Sequence, residues 1–169
     1  MAVTIAQLNA ADRAAFVAAV GFTFEGSPWI AQEAWSRRPF ANAEALLAAM
    51  LAAVAAAPEE RRVELICAHP DLGGHMSRRG RLTVQSVQEQ AAAGLAASTP
   101  AEMARFDELN GAYRERFGFP FVICAREHTK GAIFAALERR LGNDRATEIA
   151  SALEEIGKIA RLRLLDAVA

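Results

Sequence analysis

Three histidines, two cysteines and one short run of Ser, Glu and Gln hold most of the chemistry this sequence can offer. His69 stands directly before Pro70, where the run "VELICAH" meets the Gly-rich stretch "HPDLGG". Proline disfavours α geometry in the residue before it, so His69 should turn out of the helix and its ring can face a cavity. Imidazole changes charge near neutral pH and suits proton transfer there. The same position also suits a histidine that only answers the negative end of a helix dipole. Residue types alone leave both readings open.

Ser86, Glu89 and Gln90, within "SVQEQ", are spaced i, i+3, i+4 and therefore share one helix face. Ser-x-x-Glu is also a capping-box signature. Thr83, three residues earlier, is an equally good cap and would leave Ser86 inside the first turn. If Thr83 caps, three hydrogen-bonding side chains lie together near a helix N-terminus, as a ligand site requires.

Cys67 and His69, with Cys124 and His128, offer the ligand types of a zinc site but not its usual spacing, C-x2–4-C with H-x3–5-H. Both cysteines sit in apolar runs, where Cys behaves as a small hydrophobe and where an apolar setting raises a thiol pKa and works against nucleophilic catalysis. No metal is expected. Arg126 follows "FPFVICA", so its stem should begin in an apolar wall. Its planar fork suits a carboxylate, either on the protein (Glu127 or Glu115) or on a ligand. His75 reads as a surface residue.

The elements that must position these groups are helical. Asn42 can cap "AEALLAAMLAAVAAA", Pro58 opens "PEERRVELICAH", and Thr83 opens "VQSVQEQAAAGLAAS". Thr99, Pro100 and Glu102 supply a cap, a first-turn proline and an acidic N3 residue for a helix running to about Phe117. "NAADRAAFVAAV" reads as one amphipathic segment, "PWIAQEAWSRR" as a second helix, "TKGAIFAALERRLGN" as another, and "DRATEIASALEEIGKIARLRLLDAV" as a long closing helix. The stretch 69–81 reads as an ordered loop. No stretch alternates with period two, so strands are not expected. The expected fold is all-α, a single-domain compact bundle of about eight to nine helices over residues 1–169.

One segment breaks the pattern. In "FGFPFVICAR" (117–126) a Gly and a Pro interrupt a helix, yet three Phe crowd around them. Gly and Pro normally mark exposed turns, and a turn this apolar would be a poor surface loop.

Totals set the remaining bounds. The chain has 169 residues, 53% of them hydrophobic and 23% charged, with a formal net charge of −1. That composition fits a folded domain and offers no basic field for nucleic acid or a membrane surface. The longest uncharged apolar run, Ala45–Ala57, has thirteen residues, short of the roughly 20 a membrane span needs. Two distant cysteines fit a reducing compartment, the N-terminus lacks a signal-peptide pattern, and a cytoplasmic location is expected.

Taken together, "HPDLGG" (69–74), "SVQEQ" (86–90) and "FGFPFVICAR" (117–126) resemble the decarboxylases of 2-oxo-4-hydroxy-4-carboxy-5-ureidoimidazoline (OHCU). "WSRRPF" (35–40) and "LNGAYRERFGFPF" (109–121) extend the similarity across nearly the whole chain. The resemblance implies an all-helical, dimeric enzyme without metal or organic cofactor, acting on a small molecule in the last step from urate to (S)-allantoin. It implies His69 as catalytic proton donor and Glu89 as its acidic partner. It also implies a substrate-binding wall of Pro70, of Ser86, Val87, Gln88, Glu89 and Gln90, and of Phe121, Val122, Ile123, Cys124 and Ala125, with Arg126 close behind. A non-catalytic helical ureide binder, and a decarboxylase of a related ureido acid, are the alternative functions.

Overall fold

Side-chain caps decide where these helices begin. The structure is a computed structural model and describes residues 2–74 and 82–169. Its described residues form α1 (Ile5–Ala10), α2 (Arg13–Val20), α3 (Trp29–Trp35), α4 (Ala43–Ala56), α5 (Glu59–Cys67), α6 (Val84–Ala92), α7 (Pro100–Phe117), α8 (Lys130–Arg140) and α9 (Arg145–Ala167). Asn42 caps α4 by accepting from the Ala45 N–H at 2.8 Å. Thr99 and Glu102 close a reciprocal capping box at the start of α7, with Pro100 in its first turn. The segment expected to be one helix over 9–20 is two. Asp12 leaves the helical region and accepts from the Ala15 N–H at 2.8 Å, so its carboxylate starts α2 instead of continuing α1. Among the described residues the pairing that resembles a sheet is a single parallel bridge, Val3 to Val168. No helix among them is long and apolar enough to cross a membrane.

Contacts divide the chain into two compact units. The first holds the residues up to Ala68 together with Gly157–Ala169. Its core includes Phe16, Val20, Ile30, Leu46, Met50 and Leu65, none exposed. The "WSRRPF" block works structurally here. Arg38 Nη1 donates to the carbonyls of Asn9 and Ala11, each at 2.8 Å, and its guanidinium lies 4.2 Å from the Trp35 ring centroid. Asn9 in turn exchanges two hydrogen bonds with the Phe40 backbone, at 2.8 and 2.9 Å. Arg163 and Glu25 form a buried ion pair at 2.8 Å.

The second unit, His69–Ile156, contains the anomalous apolar turn. Gly118 ends α7 in the left-handed region, with φ 80°, a conformation that costs glycine little. Tyr113, Phe117, Phe119 and Phe121 are all buried, and the Tyr113 ring meets Phe119 and Phe121 edge-on with centroids 6.1 and 5.4 Å away. Greasy residues at this helix break therefore bury it. The chain then runs without helix from Phe119 to Cys124.

Glu148, with no solvent exposure, lies behind this segment. It accepts from the Tyr113 hydroxyl, from Arg140 Nε at 3.0 Å and from Asn143 Nδ2 at 2.7 Å. Arg140 Nη1 reaches on to the Val122 carbonyl at 2.8 Å. Arg140→Met leaves this carboxylate buried without its cation, so urea titration should show a loss of about 3–5 kcal/mol of unfolding free energy. A loss under about 1 kcal/mol, the scale of an exposed pair, would show that the cluster does not hold the unit together.

Candidate active site

The loop that follows α5 is pinned along its backbone. His69, Asp71 and Leu72 are buried, at 6, 7 and 8% exposure, and Pro70 is half-buried. Gln90 Nε2 donates to the Asp71 carbonyl at 3.2 Å, and Gln90 Oε1 accepts from the Gly73 N–H at 3.3 Å. Asn110 Nδ2 donates to the Leu72 carbonyl at 2.9 Å, and Arg114 Nε pairs with Asp71 Oδ1 at 2.9 Å. A buried non-helical backbone needs such partners, because an unpaired peptide group costs about as much as a lost hydrogen bond. The glycines are needed for room as well as for conformation. Gly73 has φ 61°, and a Cβ there would stand 2.6 Å from Phe106 Cδ2. Residues 75–81, with His75, lie outside the described residues.

Helix α6 carries the second cluster. Thr83 is its cap, accepting from the Ser86 N–H at 3.2 Å, so Ser86 lies in the first turn and the capping-box reading of Ser86 does not hold. The Thr83 hydroxyl donates to Ser86 Oγ at 3.0 Å. Ser86 and Gln90 are buried, Glu89 is half-buried, and Val87 and Gln88 are exposed. Val87 and Gln90, with Gly73, Gly74, Leu95 and Met103, border an apolar cavity of about 220 Å³.

The third block meets the second directly. Helix α6 packs against the turn at Ala125–Glu127. Phe121, Val122, Ile123, Cys124 and Ala125 are buried. The Cys124 N–H donates to Glu155 Oε2 at 2.8 Å. Burial pushes the Cys124 thiol up to about 11, and the negative charges of Glu127, Glu155 and Glu89 act in the same direction. Glu89 thus exerts its field on the wall. Such a thiol is a poor nucleophile. Arg126, in the turn Ala125–Glu127 that ends the buried run, is exposed. Among the described residues, no three His, Cys, Asp or Glu side chains gather as a metal ion would need.

All three motif blocks therefore converge on α6. Sequence reading missed the residues that secure them. Asn110 and Arg114 are spaced i, i+4 in "LNGAYRERFGFPF", and that polar pair beside an apolar face was a usable signal. Glu155 sits in a helix rich in charge and had none.

Fold and site together define a small all-helical enzyme, with a buried loop histidine and a glutamate on the helix that holds the loop. The model of the OHCU decarboxylase family matches residues 9–165, and the chain belongs to this family. It is 42% identical over 161 residues to the 2-oxo-4-hydroxy-4-carboxy-5-ureidoimidazoline decarboxylase of Halalkalicoccus jeotgali, covering 95% of this chain and 89% of that one. The Haloferax volcanii protein of the same name is 43% identical over 163 residues, covering 96 and 95%. A crystal structure of (S)-allantoin synthase matches with a TM-score of 0.78 and 32% identity, over 99% of this chain and 54% of that one. The chain thus spans about half the length of that protein.

The raised Cys124 thiol has a measurable sign. The unfolded chain loses this proton near 9.0 and the folded protein near 11, so in that window the unfolded state holds fewer protons and stability falls as pH rises. Burial and the Glu148 hydrogen bond also raise the Tyr113 hydroxyl, in the same sense. Melting temperature should be independent of this thiol below about pH 9 and decline between about 9 and 11, less steeply in Cys124→Ala. An identical alkaline slope in that variant would remove Cys124 as a contributor.

Proposed function

We propose that this protein decarboxylates OHCU to (S)-allantoin and CO2, with His69 as proton donor and Glu89 as its partner. The observation that carries the reading is that α6, which bears Glu89, holds the loop after His69 through Gln90 and packs against the turn at Ala125–Glu127 that ends the wall. Family membership supports the same reaction.

The chemistry fits these groups. Loss of CO2 breaks the bond between the carboxylate and its ring carbon and leaves an electron pair there. OHCU carries C=N and C=O functions conjugated with that carbon, so the substrate supplies its own electron sink where other enzymes use a cofactor. The electron pair moves into the adjacent C=N. The protein must orient the substrate and deliver one proton to one face of the neighbouring carbon, the one that bears the ureido group. The hydroxyl on the carbon that lost CO2 gives up its proton and becomes the ring carbonyl. An imidazolium is suited to that, since imidazole has an ordinary pKa of about 6.5 and such catalysis contributes about 10²–10⁴-fold. Glu89 favours the imidazolium by its charge, or takes the proton of the substrate hydroxyl. Pro70, Ser86 and the Phe121–Ala125 segment line the bound ureide. Exposed Val87, Gln88 and Arg126 stand at its margin. Gln90 contributes through the loop that its amide holds.

The resemblance also supports a cytoplasmic homodimer that needs no metal or organic cofactor. Full turnover is then expected after exhaustive chelation, and a stoichiometric metal required for activity would overturn that part.

His69→Ala should keep the fold and lose nearly all acceleration. OHCU made in place by urate oxidase and hydroxyisourate hydrolase provides the assay, read as ultraviolet decay and as circular dichroism of the product. Unchanged turnover in His69→Ala removes this residue from the mechanism. No acceleration by the wild type over the spontaneous, racemising decay removes the decarboxylase function itself.

A further inference from the structure

Among the described residues, two side-chain hydrogen bonds hold the backbone of the wall segment. The Val122 carbonyl accepts from Arg140 Nη1 at 2.8 Å, and the Cys124 N–H donates to Glu155 Oε2 at 2.8 Å. Each peptide unit is planar and trans, so the Ile123 N–H points opposite to the Val122 carbonyl and the Ile123 carbonyl points opposite to the Cys124 N–H. Two anchors at 122 and 124 therefore fix the orientation of both peptide units that flank the Ile123 Cα. They direct the N–H and C=O of Ile123 to the other side. Among the described residues none hydrogen-bonds to the Ile123 backbone, although the residue is 5% exposed. A buried donor and acceptor on one residue form the counterpart of a ureido edge, which presents an acceptor beside a donor.

The two anchors differ in how far they can be altered. Arg140 is 5% exposed and tied to Glu148. Glu155 is half-buried and borders a polar cleft of about 460 Å³ with His128, Arg139, Asn143 and Glu154. Water in such a cleft keeps a carboxylate solvated on one side while its Oε2 holds Cys124 on the other. A charged acceptor makes a stronger bond to an amide than a neutral one does.

We infer that Glu155 is a positioning residue for the reaction: by fixing the Cys124 N–H it turns the Ile123 peptide groups toward the ureido part of the substrate. This rests on the reading of Phe121–Ala125 as the substrate wall. It predicts that Glu155 governs substrate affinity, not proton delivery.

The test compares Glu155→Ala and Glu155→Gln in the full chain. In Glu155→Ala the KM for OHCU should rise about tenfold, the scale of one lost charge-assisted hydrogen bond, with kcat unchanged. Exchange of the Cys124 amide hydrogen should accelerate while the amides of α7 keep their protection. Glu155→Gln keeps an oxygen acceptor and should recover most of the affinity. An active wild type with an unchanged KM in Glu155→Ala overturns this inference alone. So do equal losses of kcat, KM and melting temperature in both variants, which would make Glu155 merely structural. A wild type that does not accelerate OHCU decay overturns the proposed function, and this inference with it.

Discussion

A carboxylate with no exposure is tolerated only when donors surround it. Glu148 has three, from Tyr113 on α7, Arg140 on α8 and Asn143 in the turn before α9. Satisfying one buried charge thus fixes three helices relative to one another within the second unit. The consequence reaches the site because Arg140 has donors to spare. Its Nη1 binds the Val122 carbonyl, and its guanidinium lies 4.5 Å from the Phe121 ring centroid. The helical frame and the non-helical wall are therefore parts of one electrostatic arrangement.

The other non-helical segment is solved by the same means. Helices satisfy their own backbone, and the loop after His69 and the run after Phe119 cannot. Each receives side-chain partners from helices instead: Gln90 and Asn110 for the loop backbone, with Arg114 on the Asp71 carboxylate, and Arg140 and Glu155 for the wall. Non-helical backbone is what a ureide binder needs, because it leaves peptide donors and acceptors available. Those side chains make such backbone compatible with burial.

Much of this was legible in the sequence, for local reasons. The caps at Asn42, Thr83 and Thr99 are short-range chemistry, and each starts its helix as expected. Gly118 stops α7 where a left-handed residue was needed. The split at Asp12 was missed because an Asp inside an alanine-rich run reads equally as a helix interior or as a cap, and only geometry separates the two. Asn110 and Glu155 reach loops 38 and 31 residues away. No periodicity announces partners at that distance.

Those separations also carry an entropic cost. Capping and helix formation need only neighbouring residues, whereas the bonds that seat the loop and wall join residues 17 to 43 positions apart. Distant contacts form after the chain has met the entropic cost of closing the intervening loops. The loop and the wall are therefore seated by contacts that cost the chain more loop-closure entropy than any of its helix caps.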